Sequence, residues 1–285
     1  MLISEFRKHA AQQLQPLYET PEAYKLIDIL LEEFFSYSAS MLYLNRDQAL
    51  NNSEEDFLLV ALEKLKQGMP IQYVLGKAWF FDLHIRVNEA TLIPRPETEE
   101  LVNWVVEENL NRDNLRILEI GTGSGCIALA LKKFLPFISI TATDISKQAL
   151  FVAEKNATLN KLDISFIEND ILNATTSNLI AGNFDIIVSN PPYIRRSEAV
   201  SMHTNVLDFE PHLALFVEEE NPLIFYDAIA DYAIRYQQKG LIVYFEINEK
   251  LGDTLKSSLI EKGFQSVQLK KDMFGKLRML RAVLG

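Results

Sequence analysis

Leu115-Arg116-Ile117-Leu118-Glu119-Ile120-Gly121-Thr122-Gly123-Ser124-Gly125-Cys126 is the stretch on which the fold turns. Residues 115–120 form a short apolar run of strand type, three alternate glycines follow, and a helical pattern starts at Cys126. Glycine permits positive φ and lets a ligand approach the backbone. A helix start presents free N–H groups and a partial positive charge. Outward from this turn, residues 138–144, 164–170, 184–190 and 241–247 are further apolar, β-branched strand candidates. Helical stripes fall between them. Ala149, Leu150, Ala153 and Ala157 form one; Phe225, Ile229, Tyr232 and Tyr236 form another, with Asn221 before Pro222 as its expected start. Such alternation predicts an α/β fold with a doubly wound, mostly parallel sheet. Segments 265–271 and 277–283 lie too close for a crossover, so they are expected to pair antiparallel.

The first 75 residues read differently, as a helical N-terminal domain (1–75). Ala23, Leu26, Ile27, Leu30 and Phe34 keep the 3, 4 spacing of a helix face across 21–35. Ser53-Glu54-Glu55-Asp56 is a capping signal. Phe57, Ala61, Leu62 and Leu65 follow on one face, and Gly68 and Pro70 end that helix. From 76 to 96, Trp79, Phe80, Phe81, Leu83, Ile85 and Val87 predict a β-hairpin linker, punctuated by Pro94 and Pro96. The α/β domain then occupies 97–285.

The formal net charge of −11 opposes a grip on duplex nucleic acid, which needs clustered Lys and Arg to displace counterions. It suits solubility or the steering of a basic protein partner. A single cysteine, Cys126, allows no intrachain disulfide and fits a reducing compartment, so a cytoplasmic location is expected. No basic start leads into an apolar stretch, and no apolar run approaches the length of a membrane span, so neither secretion nor a membrane partner is expected. His9, His84, His203 and His212 are scattered with no metal-type partner set, and no metal is expected. Cys126 at a helix start invites a lowered pKa, but no histidine neighbours it, and a small packing residue is the better reading.

The glycine spacing narrows the ligand. In G-x-G-x-x-G dinucleotide enzymes the third glycine comes one position later, where this chain has Cys126. There is no G-K-[ST], so a P-loop is excluded. The tighter G-x-G-x-G resembles the first motif of class I (Rossmann-like) methyltransferases, whose ligand is S-adenosyl-L-methionine. Gly121, Thr122, Gly123, Ser124 and Gly125 are the candidate cofactor cradle. Asp144 ends the next strand, where it could accept both ribose hydroxyl hydrogens. Asp170, followed by Ile171, ends the third strand, where an acid could accept from the adenine amino group. Glu119, just before the turn, could orient the methionine end. For Asp170 and Glu119 a solvated strand-end carboxylate fits as well.

Asn190-Pro191-Pro192-Tyr193 follows the fourth strand, at the sheet end where open α/β folds bind ligands. An amide or aromatic amine nitrogen is a poor nucleophile because its lone pair is delocalised. The Asn190 side-chain oxygen and the Pro191 carbonyl could accept its two hydrogens and draw it towards tetrahedral geometry. The prolines fix the carbonyl direction, and Tyr193 offers a flat face to a planar group. The cofactor and the acceptor would then meet at Asn190.

Taken together these motifs resemble the HemK/PrmC family of peptide chain release factor glutamine methyltransferases. The likeness extends to Ile71-Gln72-Tyr73-Val74-Leu75-Gly76, Leu92-Ile93-Pro94-Arg95-Pro96-Glu97-Thr98-Glu99, Phe209-Glu210-Pro211, and Lys271-Asp272 with Gly275 and Arg278. The resemblance implies that class I peptide chain release factors are the protein substrate and that S-adenosyl-L-methionine is the methyl donor. It implies a Gly-Gly-Gln glutamine as acceptor, bound by Asn190, Pro191, Pro192 and Tyr193, and an N-terminal domain that docks the substrate. A monomer acting without a nucleic-acid substrate is expected. Three places depart from the family pattern: Val217-Glu218-Glu219-Glu220-Asn221, Asn248 after Glu246-Ile247, and Ile171 where an aromatic is usual. The alternatives are a ribosomal-protein glutamine methyltransferase, whose linker tends to read Arg-Ser-Pro where this chain has Arg95-Pro96-Glu97, and an adenine N6 DNA methyltransferase, which shares the acceptor chemistry. Arg95 with Glu97 could border the site or form a linker ion pair, and Glu210 could position the substrate loop.

Overall fold

A computed structural model describes residues 1–173 and 182–285 of the chain. The chain forms two compact units, Met1–Gly76 with His203–Phe209, and Lys77–Met202 with Glu210–Gly285. Among the described residues no helix is long and apolar enough to cross a membrane.

The first unit is helical: α1 (Ile3–Leu14), α2 (Thr20–Phe35), α3 (Ala39–Leu44), α4 (Asn52–Lys66) and α5 (Ile71–Leu75), joined by the short helix Thr204–Phe209. Its core gathers Phe6, Leu14, Ile27, Leu30, Leu58 and Leu62, all with no exposed surface. The face of α4 differs by one position from the sequence reading. Leu58 is buried, whereas Phe57 is exposed and stacks on Phe34. The cap differs too. Asn51, two residues before Ser53, accepts from Glu54 N at 3.0 Å, and Glu54 returns the bond to Asn51 N at 2.9 Å. This reciprocal box satisfies two N-terminal donors, and the shorter signal at Ser53 lies already inside the helix.

The second unit opens with a hairpin of β1 (Lys77–Phe80) and β2 (Leu83–Arg86), paired antiparallel from Lys77↔Arg86 to Phe80↔Leu83. Its two-residue turn, Phe81-Asp82, is left-handed at both positions, with φ of 49° and 56°, which matches the twist of the flanking strands. The wound region follows: α6 (Pro96–Asn109), β3 (Arg116–Ile120), α7 (Cys126–Phe134), β4 (Ser139–Asp144), α8 (Lys147–Asn160), β5 (Ser165–Glu168), β6 (Ile186–Ser189) and β7 (Ile194–Arg195). After α9 (Thr204–Phe209, already met) come α10 (His212–Leu215), β8 (Phe216–Val217), α11 (Ile224–Tyr236), β9 (Ile242–Glu246), α12 (Gly252–Glu261), β10 (Phe264–Lys271) and β11 (Leu277–Leu284).

The main sheet has seven strands in the order β10-β11-β9-β6-β3-β4-β5. The five from β9 to β5 are parallel, and β11 runs antiparallel to both β9 and β10. The expected doubly wound sheet with an antiparallel closing strand is present. β6 is buried at all four positions and β3 at four of five, because helices cover both faces. The helix expected to begin at Asn221 begins instead at Ile224, capped by Leu223. The sequence reading also passed over α12, whose buried side is only Gly252, Leu255 and Leu259.

Candidate active site

From β3 the chain winds to β4 and β5 on one side, then crosses to β6 on the other. The C-terminal ends of β3 and β6 therefore flank the crevice where such sheets bind ligands. Ser189 Oγ donates to Ile120 O at 2.7 Å and ties the two strand ends together. Above them lies a cavity of about 400 Å³, within the range of small-molecule sites. Gly121, Thr122, Gly123 and Ser124 line one side, and Asn190, Pro191 and Pro192 line another. Asp144, Asp170 and Ile171 also face it.

The glycine turn is held from several directions. Gly121 N and Thr122 N both donate to Thr143 O, at 2.8 and 2.9 Å. Asp144 Oδ2 accepts from Gly123 N at 2.8 Å and Oδ1 from Ser146 N at 2.9 Å. Burial pushes the Asp144 carboxyl up, against the backbone N–H groups of Ser146, Gly123 and Ile145, which favour its charge. Asn156, fully buried on α8, donates from Nδ2 to Ser124 O at 2.9 Å and to Arg86 O at 2.9 Å, and accepts from Arg86 N at 2.7 Å. One side chain thus fixes the turn, α8 and the hairpin to one another.

This turn suits S-adenosyl-L-methionine. Gly121 and Gly123 have φ of +75° and +56°, and a Cβ built on either would meet nothing within 4 Å. The glycines therefore leave open a cradle beside backbone N–H groups, bounded by an acidic acceptor. Gly125 differs: its Cβ would come within 3.1 Å of Ala153 Cβ, so it serves the contact between α7 and α8.

The other cofactor candidates divide. Asp170 is on the cavity wall, but its oxygens already accept from Leu172 N at 3.0 Å and Asn173 Nδ2 at 2.9 Å. Glu119 is not among the residues that line the cavity. It lies beneath the turn, 1% exposed, with Oε2 accepting from Thr122 Oγ1 at 2.7 Å and Ala128 N at 3.1 Å. Its Oε1 has no hydrogen-bond partner, and burial pushes the carboxyl up to about 8. Cys126 is buried, and burial with the nearby Glu119 pushes its thiol up to about 12, as suits a packing residue.

At the Asn-Pro-Pro-Tyr corner the side chains separate. Asn190 faces the cavity, and its Nδ2 donates to Thr98 Oγ1 at 3.2 Å. Tyr193 is not a lining residue. Its ring packs against the core beside β9, and its hydroxyl donates to Glu246 Oε1 at 2.9 Å. Thr98, from α6, donates to Glu246 Oε2 at 2.6 Å. The sequence reading assigned no role to Thr98 or Glu246, and only their place in the segments 92–99 and 246–248 could have pointed to them. Arg95 pairs with the buried Glu210 at 2.5 Å, and Glu210 also accepts from Ile93 N at 3.2 Å. Both readings of Arg95 hold: it lines the cavity, and it forms an ion pair, with Glu210 rather than Glu97 as its partner. Asn248 donates to Tyr193 O at 3.2 Å and Glu198 Oε2 at 3.1 Å. The Glu198 carboxyl, which burial would raise, is held down at about 2 by Lys250 and Arg195.

The comparisons with known proteins run the length of the chain. Residues 5–76 match the PrmC N-terminal domain, and residues 100–208 match the Methyltransferase small domain. A release factor glutamine methyltransferase of Flavobacterium psychrophilum is 46% identical over 99% of this chain and 99% of its own. One from Bacteroides thetaiotaomicron is 40% identical over 95% and 96%. A solved methyltransferase from Pyrococcus furiosus shares the fold, with a TM-score of 0.53 and 20% identity over 82% of this chain and 100% of that one. Full-length likeness at this level leaves one conclusion: the chain belongs to the HemK/PrmC family of release factor glutamine methyltransferases.

Proposed function

We propose that this protein transfers a methyl group from S-adenosyl-L-methionine to the side-chain amide nitrogen (N5) of the glutamine in the Gly-Gly-Gln loop of class I peptide chain release factors. The observation that carries the reading is the shared cavity: the glycine turn and the Asn190-Pro191 corner face the same space. The full-length relatives, which are release factor glutamine methyltransferases, supply the substrate class.

The bound donor supplies an electrophilic methyl carbon on a positively charged sulfur. In this reading Gly121, Thr122, Gly123 and Ser124 cradle it with the α7 N-terminus, Gly125 supports the turn by packing against α8, and Asp144 accepts from its ribose hydroxyls. Asp170 and Ile171 border the adenine, and Glu119 acts from beneath the turn. Asn190 Oδ1 and the Pro191 carbonyl accept the two hydrogens of the glutamine NH2 and turn its lone pair towards the methyl carbon. Pro192 stiffens the corner, and Tyr193 braces it through Glu246. No strong base is needed, because the methylated nitrogen sheds its extra proton afterwards. The rate advantage then comes from orientation, where alignment contributes up to ~7–11 kcal/mol.

The helical unit (1–75) serves as the docking domain, 76–96 as the hairpin linker and 97–285 as the catalytic domain. The acidic chain acts as a cytoplasmic monomer on a protein rather than on nucleic acid. The test is mass spectrometry of purified release factor, ribosomal protein and DNA after incubation with the enzyme and donor. One added methyl on the loop glutamine supports the proposal; methyl only on ribosomal protein or DNA overturns it.

A further inference from the structure

A side-chain amide has two nearly isosteric ends, and only one of them suits the task given to Asn190. Its oxygen must face the acceptor NH2. If the group were turned over, NH2 would face NH2, and the site would repel the nitrogen it has to hold. Something must set the orientation, and the packing of proline rings cannot, because the two ends have nearly the same shape.

We infer that Glu246 and Thr98 are positioning residues that hold the Asn190 amide with its oxygen towards the cavity. The inference rests on the proposed role of Asn190 as the acceptor's hydrogen-bond partner. Thr98 has one hydroxyl hydrogen. It points to Glu246 Oε2 at 2.6 Å, the shorter of the two contacts made by Thr98 Oγ1. With that hydrogen committed, Thr98 Oγ1 can only accept from Asn190, and only the Nδ2 end of Asn190 can donate. The oxygen is therefore the end left for the cavity. Glu246 can receive the hydroxyl hydrogen at a carboxylate oxygen: burial pushes its carboxyl up, but the Thr98 and Tyr193 hydroxyls and the nearby Arg278 favour the charged, acceptor-only form. Its other oxygen receives the Tyr193 hydroxyl at 2.9 Å, so the same carboxylate also anchors the far end of the Asn-Pro-Pro-Tyr corner.

The arrangement is built rather than incidental. Thr98 and Glu246 are 3% and 1% exposed, so the bond between them is shielded from bulk water. They come from α6 and the end of β9, and reach Asn190 from outside its own strand. Tyr226 holds the Glu246 main chain by donating to its carbonyl at 2.9 Å.

Three substitutions test this. Thr98→Val keeps the shape and removes the hydroxyl, so the Asn190 amide loses its directing partner. Thr98→Ser keeps the hydroxyl. Glu246→Gln keeps the shape but must offer its NH2 to either Thr98 or Tyr193, so one of those bonds is reversed. Two readouts are taken. The first is hydrogen exchange of the Asn190 side-chain NH2, followed by NMR and assigned by its absence in Asn190→Ala. In the wild type at least one of these hydrogens exchanges tenfold or more slowly than in an exposed asparagine, and Thr98→Val abolishes that protection. The second is turnover on release factor. Thr98→Val lowers kcat by 10- to 100-fold with the KM for donor within twofold, Thr98→Ser restores most of that loss, and Thr98→Val/Glu246→Gln is no slower than the slower single variant.

Unchanged amide exchange in Thr98→Val, a kcat within twofold of wild type, failure of Thr98→Ser to recover rate, or additive losses in the double variant would each overturn the inference. Should Thr98→Val not fold, the same two readouts on Glu246→Gln decide. The exchange measurement needs no turnover. If the wild type fails to methylate release factor, the functional proposal falls, and the orientation of Asn190 is still decided.

Discussion

At Asn190 the requirements of stability and of chemistry come apart. Its side chain makes one long hydrogen bond, to Thr98 at 3.2 Å. A bond of that kind contributes about 1 kcal/mol to folding, whereas a misaligned acceptor forfeits several kcal/mol of orientation. Asn190→Ala is therefore expected to melt within a few degrees of wild type and to bind donor normally, while kcat falls by at least about 100-fold. Paired calorimetry and turnover measurements check this. Asp144 is expected to behave in the opposite way. Asp144→Ala removes acceptors from Gly123 N and Ser146 N as well as from the ligand. Donor affinity should weaken by roughly 10- to 100-fold on titration, since bonds to charged acceptors contribute about 1.5–3 kcal/mol. Glu119 makes the fold sensitive to pH. Its carboxyl is raised from the ordinary 4.5 to about 8, so the folded protein keeps a proton that the unfolded chain has lost. Stability should then fall as pH rises through that window, by up to about 1.4 kcal/mol per unit. Glu119→Gln, which has no proton to lose, should flatten the slope in urea melts of the ligand-free protein between pH 5 and 8.

Among the elements, α8 does the most to place the cofactor side of the site, and it does so through Asn156. Replacing Asn156 with alanine strands Ser124 O in a buried position, and Arg86 N and Arg86 O in a partly buried one. A loss of about 3 kcal/mol is expected in chemical denaturation, with weaker donor binding because the turn loses its tether. The order of strands and helices from β3 onward was readable from the sequence, because strands buried on both faces are continuous apolar runs and glycine turns punctuate them. So was the meeting of Gly121 and Asn190, since both follow strands that end at the same edge. The finer features were not. Asn51 rather than Ser53 caps α4 because the cap is decided by backbone geometry, not by which polar residue stands nearest the charges. The start of α11 at Ile224 overrode the local signal at Pro222. The bonds joining Thr98, Asn190 and Glu246 cross 92 and 148 positions of chain, a separation that no local pattern encodes.

For the molecule as a whole, the division into two units separates two kinds of damage. Every residue that lines the cavity belongs to the second unit, whereas Leu58 is fully buried in the first. Leu58→Ala should cost about 2–5 kcal/mol by cavity formation. It should lower turnover on the protein substrate while leaving the donor dissociation constant within twofold, as calorimetry on the folded fraction would record. The order of assembly is constrained by the placement of β11. It lies between β9 and β10, although it follows both in the chain. During synthesis, therefore, the edges of β9 and β10 that face β11 stay unpaired until residues through Leu284 have left the ribosome. Until then Val243 and Phe245, on an unzipped β9, have an open flank that invites pairing with another nascent chain. Ending the chain before Leu277 would leave that flank open for good, so loss of this one strand should yield insoluble protein rather than a slightly weakened enzyme.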